Sequence, residues 1–223
     1  MLPMFADQSP FAVRFDWGLA GLRATAANAI VVIIDILSFT TSVSIACSRG
    51  ATITPCEWNG NAKRISSESL LTAGENLQLI LASQNGSALS HEATRSGHRV
   101  VAASIRNATA VAQWLNEQDA RIAVIASGER WPDNTWRFAA EDLIGAGAVI
   151  TQLRGSRSPE AATAVAAFNN ARHSLHDTLR ACSSGCELAL RGFDADIALA
   201  AELDADLGVP LIIDGTYQDA RYS

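Results

Sequence analysis

Four apolar runs in this sequence each end in residues suited to chemistry on a phosphate group. Ala29 to Ile36 is apolar apart from Asp35, and Ser38, Phe39, Thr40 and Thr41 follow it. Gln78 to Ala82 leads to Ser83, Gln84, Asn85, Gly86 and Ser87. Arg99 to Ser104 leads to Arg106 and Asn107. Arg121 to Ala126 leads to Ser127, Gly128, Glu129 and Arg130, with Glu141 and Asp142 soon afterwards. Hydroxyls and glycine-freed amides at helix N-termini hold the oxygens of phosphates and carboxylates. Carboxylates at the same rim suit Mg2+, a hard cation that takes oxygen ligands. The combination matches metal-assisted phosphoryl transfer, in which a cation bridges phosphate oxygens and fixed donors stabilise the transferring charge.

Each group also has a plainer structural reading. Asp35 can cap the turn behind it, although a carboxylate ending an apolar strand needs a strong partner. Thr40 and Thr41 can cap a helix, and Asn85-Gly86 is the commonest tight-turn dipeptide. Arg106-Asn107 can be a helix start, and Glu141-Asp142 can be acids favoured by a helix dipole. Glu129 and Arg130 can be a solvated loop pair. The joint placement of all of them behind strands favours a site over any single structural role.

The elements that must carry these residues alternate. Ala29 to Ile36 is β-branched and apolar on both faces, as a strand covered by helices on each side requires. A helix is expected over Ser38 to Arg49, with Gly50 closing it. Further strands are expected at Ala51–Pro55, Gln78–Ala82, Arg99–Ser104, Arg121–Ala126 and Val209–Asp214. Residues 59–72 form a loosely patterned polar stretch, and Ser127 to Thr135 reads as a loop. Helices are expected from Asn107 to Asn116 and from Phe138 to Leu153. In the latter, Gly145 and Gly147 imply a break or a close contact. Pro159 opens a long helical segment to about Arg180, Cys186 to Leu190 is a shorter one, and Asp194 caps another to Leu207. The pattern predicts an α/β fold, a three-layer sandwich around a largely parallel or mixed sheet. No linker interrupts the chain, so residues 1–223 read as one unit. Ser156 to Pro159 is the best place to divide a sheet-rich part from a helical C-terminal part.

Composition narrows the function classes. A net charge of −6 argues against a nucleic-acid partner, since phosphate backbones need clustered basic side chains. The only lysine is Lys63, and the arginines form no stripe on any expected helix. No apolar run reaches the length of a membrane span, and the N-terminus lacks a signal-peptide pattern, so a cytoplasmic protein is expected. Cys47, Cys56, Cys182 and Cys186 read as ordinary reduced thiols, although Cys182 and Cys186 share a helix face. His173 and His176 lie three apart and read as surface residues. His91 and His98 complete the set, the latter at a strand start, and no zinc-ligand spacing appears. A phosphate-binding Gly-x-x-x-x-Gly-Lys loop and a Gly-x-Ser-x-Gly elbow are absent from the sequence.

At these same residues the sequence resembles the 2-phosphosulfolactate phosphatase family, from about Val31 to Asp214. The family's Asp-Val-Leu-Arg-Ala-Thr-Thr is matched by Asp35-Ile36-Leu37-Ser38-Phe39-Thr40-Thr41, and its Thr-Asn-Gly-Thr turn by Gln84-Asn85-Gly86-Ser87. Its Ser-x-x-Asn-Ala is matched by Ser104 to Ala108, and its Glu-Asp and Ala-Gly pieces by Glu141-Asp142 and Ala146-Gly147. Gly185 to Leu188, Asp196 to Ala200 and Val209-Pro210 complete the series. The resemblance implies a Mg2+-dependent phosphatase, a homodimer, and a small phosphorylated acid as substrate. Asp35, Glu141 and Asp142 then hold or surround the metal. Asp35, Thr40 and Arg106 act on the reacting group, while Thr41, Asn85, Gly86, Ser87, Asn107 and Arg130 bind substrate. Three departures stand out: Ser38 replaces the family's arginine, Ser66 to Leu70 lacks its proline, and Ala126 replaces a frequent cysteine. Two rivals follow from the same residues. One is a homologue that binds a phosphorylated acid without turnover; the other is an isomerase or lyase on the same scaffold.

Overall fold

The computed structural model describes residues 4–57, 66–72, 74 and 76–222; Lys63 and residues 59–65 of the polar stretch lie outside them. The N-terminal half runs β1 (Val13–Trp17), α1 (Gly18–Thr25), β2 (Ala29–Ile34), α2 (Phe39–Ser48), β3 (Thr52–Glu57), β4 (Gln78–Ser83), α3 (Gly86–Arg95), β5 (Val100–Ala103) and α4 (Ala108–Asn116). It continues with β6 (Arg121–Ala126), the hairpin β7 (Glu129–Arg130) and β8 (Trp136–Arg137), and α5 (Ala140–Gln152). The C-terminal third holds α6 (Pro159–Ala171), α7 (Leu175–Ala181), α8 (Ser183–Leu190), α9 (Asp194–Ala200), β9 (Pro210–Ile213) and β10 (Thr216–Asp219).

One mixed sheet of eight strands, ordered β1-β6-β2-β5-β9-β10-β3-β4, divides the helices into two layers. The alternation of β2 shows how. Ile30, Val32 and Ile34 pack with residues of α4, α5 and α6, while Val31 and Ile33 pack with residues of α1, α2 and α3. Strands buried on both faces in this way read as unbroken apolar runs. β1, β6, β2 and β5 form a parallel group in which Ile34 pairs with both Ala103 and Ala126. Their carboxyl ends therefore come level at Asp35, Ser104 and Ser127. β9 and β10 are antiparallel and join this group to the parallel pair β3–β4 through single residue pairs, Val101 with Leu211 and Tyr217 with Ile53. Among the described residues no helix is long and apolar enough to cross a membrane.

Several elements differ from the sequence expectation. The helix expected from Pro159 to Arg180 is two, α6 and α7, because the chain turns at Arg172 to Ser174 and so buries Leu175 and Leu179. The helix expected to reach Leu207 stops at Ala200. Beyond it, Asp204 accepts the Thr109 amide and Asp206 pairs with Arg106, so residues 201–208 run as a strap over the layer. In α5 the two glycines mark the expected close contact and no break: Ile36 lies against Gly145 and the Ala164 carbonyl against Gly147, leaving no room for a side chain. Ser127 to Thr135 includes one strand of the β7–β8 hairpin. β1, α1, α3 and β10 were not expected at all.

Candidate active site

The carboxyl end of β2 is shaped by hydroxyl groups that bond backward. The Thr40 hydroxyl donates to the Asp35 carbonyl at 2.9 Å and accepts the Asp35 amide at 3.1 Å. The Thr41 hydroxyl donates to the Ile36 carbonyl at 2.8 Å. Both threonines are fully buried. They lock the strand-to-helix turn and fix where the Asp35 side chain stands, so their contribution to the site is positioning. The Leu37–Ser38 peptide in this turn is cis.

Asp35 is buried, and its Oδ2 accepts the Gly86 amide at 2.9 Å and the Ser83 hydroxyl at 3.1 Å. These donors come from the end of β4 and the first residue of α3, so the Asn85-Gly86 dipeptide begins a helix rather than a hairpin. Glycine is required there: a Cβ on Gly86 would lie 2.3 Å from the Phe39 ring and 2.7 Å from Asp35 Oδ2. Burial is the main force raising the Asp35 carboxyl above the ordinary range, opposed by its donors and reinforced by the charge of Glu141.

Three further carboxylates share this end of the sheet. Glu129, on β7, accepts from the Asn85 amide group at 3.2 Å. Burial, then the charges of Asp35 and Glu141, push its carboxyl up to about 7. Asp142 turns one oxygen to the Ile36 amide at 2.8 Å and the other to the Gly128 amide at 2.9 Å. It therefore ties the ends of β2 and β6 to the first turn of α5. Burial, with the charges of Asp35 and Glu141, raises its carboxyl well above the ordinary range. Glu141 is buried beside it, near the Cys182 thiol, which burial and the Glu141 charge push up to about 12 and which donates to the Leu179 carbonyl at 3.0 Å.

A cleft of about 400 Å³ opens over Asp35 and Glu129. Ser38, Ser83, Asn85 and Ser184 contribute polar groups to its walls, and Phe39, Leu81 and Leu188 apolar ones. Of the residues singled out in the sequence, the structure brings Asp35, Asn85 and Gly86 together at this cleft, with Glu141 and Asp142 behind it. Ser87 is buried and donates to the Leu81 carbonyl. Arg130 is exposed on the β7–β8 hairpin, bonded to Asn85 Oδ1 and to the Asn134 carbonyl. Arg106 is not at the cleft. Its guanidinium is buried against Asp206 at 2.7 Å, Glu202 and the Leu199 carbonyl. Asn107 accepts the Ser104 amide and donates to the Gly208 carbonyl, a capping role that also holds the strap. Glu129, singled out behind the fifth strand but given no role there, lines the cleft, and sequence reasoning missed the α8 residues Ser184, Glu187, Leu188 and the following Arg191. The three-and-four spacing of that last group was the available signal.

The magnesium ion implied by the resemblance can be tested against these donors. Among the described residues, no three His, Cys, Asp or Glu side chains converge as ligands. A closed protein cage is therefore absent from this donor set, and both Asp142 oxygens are already engaged. The hard oxygens of Asp35 and Glu129 in an open cleft do fit Mg2+, which keeps several waters and takes one or two carboxylates plus substrate phosphate.

The profile of a family described as 2-phosphosulpholactate phosphatase matches residues 75–215, which includes Ser83 to Gly86, Glu129, Glu141, Asp142 and Arg191. A probable 2-phosphosulfolactate phosphatase of Gloeobacter violaceus is 33% identical over 119 residues, covering 53% of this chain and 49% of that protein. Proteins of the same description from Thermotoga petrophila and Thermotoga maritima are each 25% identical over 212 residues, covering 83% of this chain and 90% of theirs. The match thus spans about half of the Gloeobacter protein and most of the Thermotoga ones. With the profile covering well over half of its length, the chain belongs to the 2-phosphosulpholactate phosphatase family.

Proposed function

We propose that this protein hydrolyses the phosphate monoester of a small organic acid, 2-phosphosulfolactate being the first candidate, with Mg2+ as cofactor. Family membership supports the reaction class, and the names of the three relatives support the substrate. The observation that carries the reading is Asp35, buried yet lining the cleft, its Oδ2 held by the Gly86 amide and the Ser83 hydroxyl.

In this reading Asp35, backed by the charge of Glu141, holds the cation. The bound ion supplies charge neutralisation for the phosphate and a lowered pKa for water. Asn85 and Ser184 donate to phosphate oxygens, while Ser83 keeps its hydroxyl on Asp35. Glu129 lines the cleft beside Asp35, where burial and the charges of Asp35 and Glu141 push its carboxyl up in the metal-free protein; there it would take the proton of the attacking water. Thr40, Thr41 and Asp142 act on this set by fixing the turn that presents Asp35. The family resemblance extends the proposal to a cytoplasmic homodimer, whose assembly is read from sedimentation velocity.

The test is release of inorganic phosphate from 2-phosphosulfolactate with Mg2+ and with EDTA. Release that requires Mg2+ supports the whole reading. Release unaffected by EDTA keeps the phosphatase and removes the metal. Consumption of the compound without free phosphate transfers the site to an isomerase or lyase, and binding alone marks a homologue without turnover.

A further inference from the structure

One wall of the cleft is made by α8. Ser184, Glu187, Leu188 and Arg191 recur at intervals of three and four, which places them on one helical face, and all four line the cleft. Among the described residues that line it, Arg191 is the only cation, set against the carboxylates of Asp35, Glu129 and Glu187. A phosphorylated acid brings a second anionic group into this space, and that group needs a donor of its own. Other arginines near the sheet end are engaged elsewhere. Arg106 is buried with Asp206 and Glu202, Arg130 bonds Asn85 and Asn134, and Arg137 bonds Ser184 and lies over the Trp131 ring.

We propose that Arg191 binds the second acid group of the substrate, a carboxylate or sulfonate, and so determines which phosphate esters the cleft selects. The proposal rests on the phosphatase reading above. The present partner of Arg191 is Glu187, at 2.9 Å and four residues earlier, with side chains 59% and 55% exposed. Such a solvated pair contributes little by itself, so a substrate anion can displace the glutamate without a large loss. The planar fork of a guanidinium matches the oxygen geometry of carboxylate and sulfonate groups, which a lysine ammonium does not. Leu188 stands between the two charged residues on the same face and gives the short carbon skeleton an apolar contact. Glu187 then acts as a built-in competitor: it holds the guanidinium when the cleft is empty and repels acids that approach.

The experiment compares 2-phosphosulfolactate with isopropyl phosphate, a monoester that has no second acid group. Arg191→Ala should lower kcat/KM for 2-phosphosulfolactate about tenfold or more, mainly through KM, while the loss for isopropyl phosphate stays under about threefold. Arg191→Lys should recover part of the difference. Glu187→Gln should change KM for 2-phosphosulfolactate in the opposite direction, a result that a merely structural role of the pair would not give. Equal losses on both substrates, or no loss on either, overturn the proposal. Calorimetric titration of the same compounds separates this question from the reaction class. Arg191-dependent binding without phosphate release removes the phosphatase and keeps the acid-binding role. Phosphate release with binding indifferent to Arg191 does the reverse.

Discussion

Asp35 takes its donors from a segment about fifty positions later in the chain, and the chemistry of the cleft depends on that junction. Asp35→Asn keeps the shape and removes the charge. In the proposed reaction it should abolish Mg2+-dependent phosphate release while leaving the folded protein at least as stable, because a costly buried charge is gone. Full activity in this variant would take Asp35 out of the site. Glu129 leads to a pH prediction. Its folded-state carboxyl is raised to about 7 from 4.5, so the folded protein holds a proton that the unfolded chain releases. Stability from this group is complete below about 4.5 and is lost as pH rises through about 7. The buried Asp35 and Asp142 are raised as well and act with the same sign. Metal-free protein should therefore be less stable to urea at about pH 8 than at about pH 5, with Glu129 contributing on the order of 2 kcal/mol. Glu129→Gln should shrink the difference; a slope of the opposite sign would contradict the burial of these acids. At this scale Asp35 was legible in the sequence because an apolar run ending in a carboxylate is costly without a purpose. Arg106 was misleading for a related reason. Its position behind a strand signals a site, but its real partners, Asp206 and Glu202, lie about a hundred residues on, where no local pattern announces them.

At the scale of elements, the parallel strands were readable and the short helices were not. β2 and β6 are buried on both faces and appear as β-branched runs. α3 opens Gly-Ser-Ala-Leu-Ser-His and carries only Leu89 and Ala93 as larger buried apolar anchors, so its Asn-Gly start dominates the local signal. β1 escaped notice because Arg14 stands inside it. That arginine is fully buried, and its guanidinium donates to the carbonyls of Phe11, Thr25 and Ala27. The glycines of α5 show how tightly the layers close over the acids. A Cβ on Gly147 would lie 2.0 Å from the Ala164 carbonyl oxygen of α6, and backbone cannot step aside as a flexible side chain can. Gly147→Ala should separate α5 from α6 and destabilise the protein by roughly 2–3 kcal/mol, seen as a lower denaturation midpoint. Since Glu141 and Asp142 sit in the first turn of the same helix, phosphate release per folded molecule should fall with it. An unchanged midpoint would mean that the two helices are less closely packed than their contact distance indicates.

At the scale of the whole molecule, the question is whether the C-terminal third can separate from the sheet at Ser156 to Pro159. Its last strands argue against separation: β9 and β10 lie inside the sheet order, between β5 and β3. The strap before them is tied down at several points. Asp206 accepts from the buried Arg106 and from the Ser44 hydroxyl, and the Gly208 amide donates to Ser48 while its carbonyl accepts from Asn107. Farther back, Asp196 accepts from the Ser66 hydroxyl and the Glu68 amide. Every one of these bonds joins the C-terminal third to α2, to residues 66–68 or to the residues that follow β5. We expect one cooperative unfolding transition with coincident midpoints by circular dichroism and tryptophan fluorescence. Cleavage engineered at Ser156–Pro159 should then yield two fragments that remain associated and denature together. The tie that matters most in this argument is Arg106–Asp206, whose side chains are 4% and 2% exposed. Arg106→Ala strands a buried carboxylate and should cost about 3–5 kcal/mol, whereas Arg106→Met combined with Asp206→Leu should recover most of it. If the single variant instead resolves the transition into two, the strap is the hinge of a separable unit, and the division near residue 156 is a domain boundary after all.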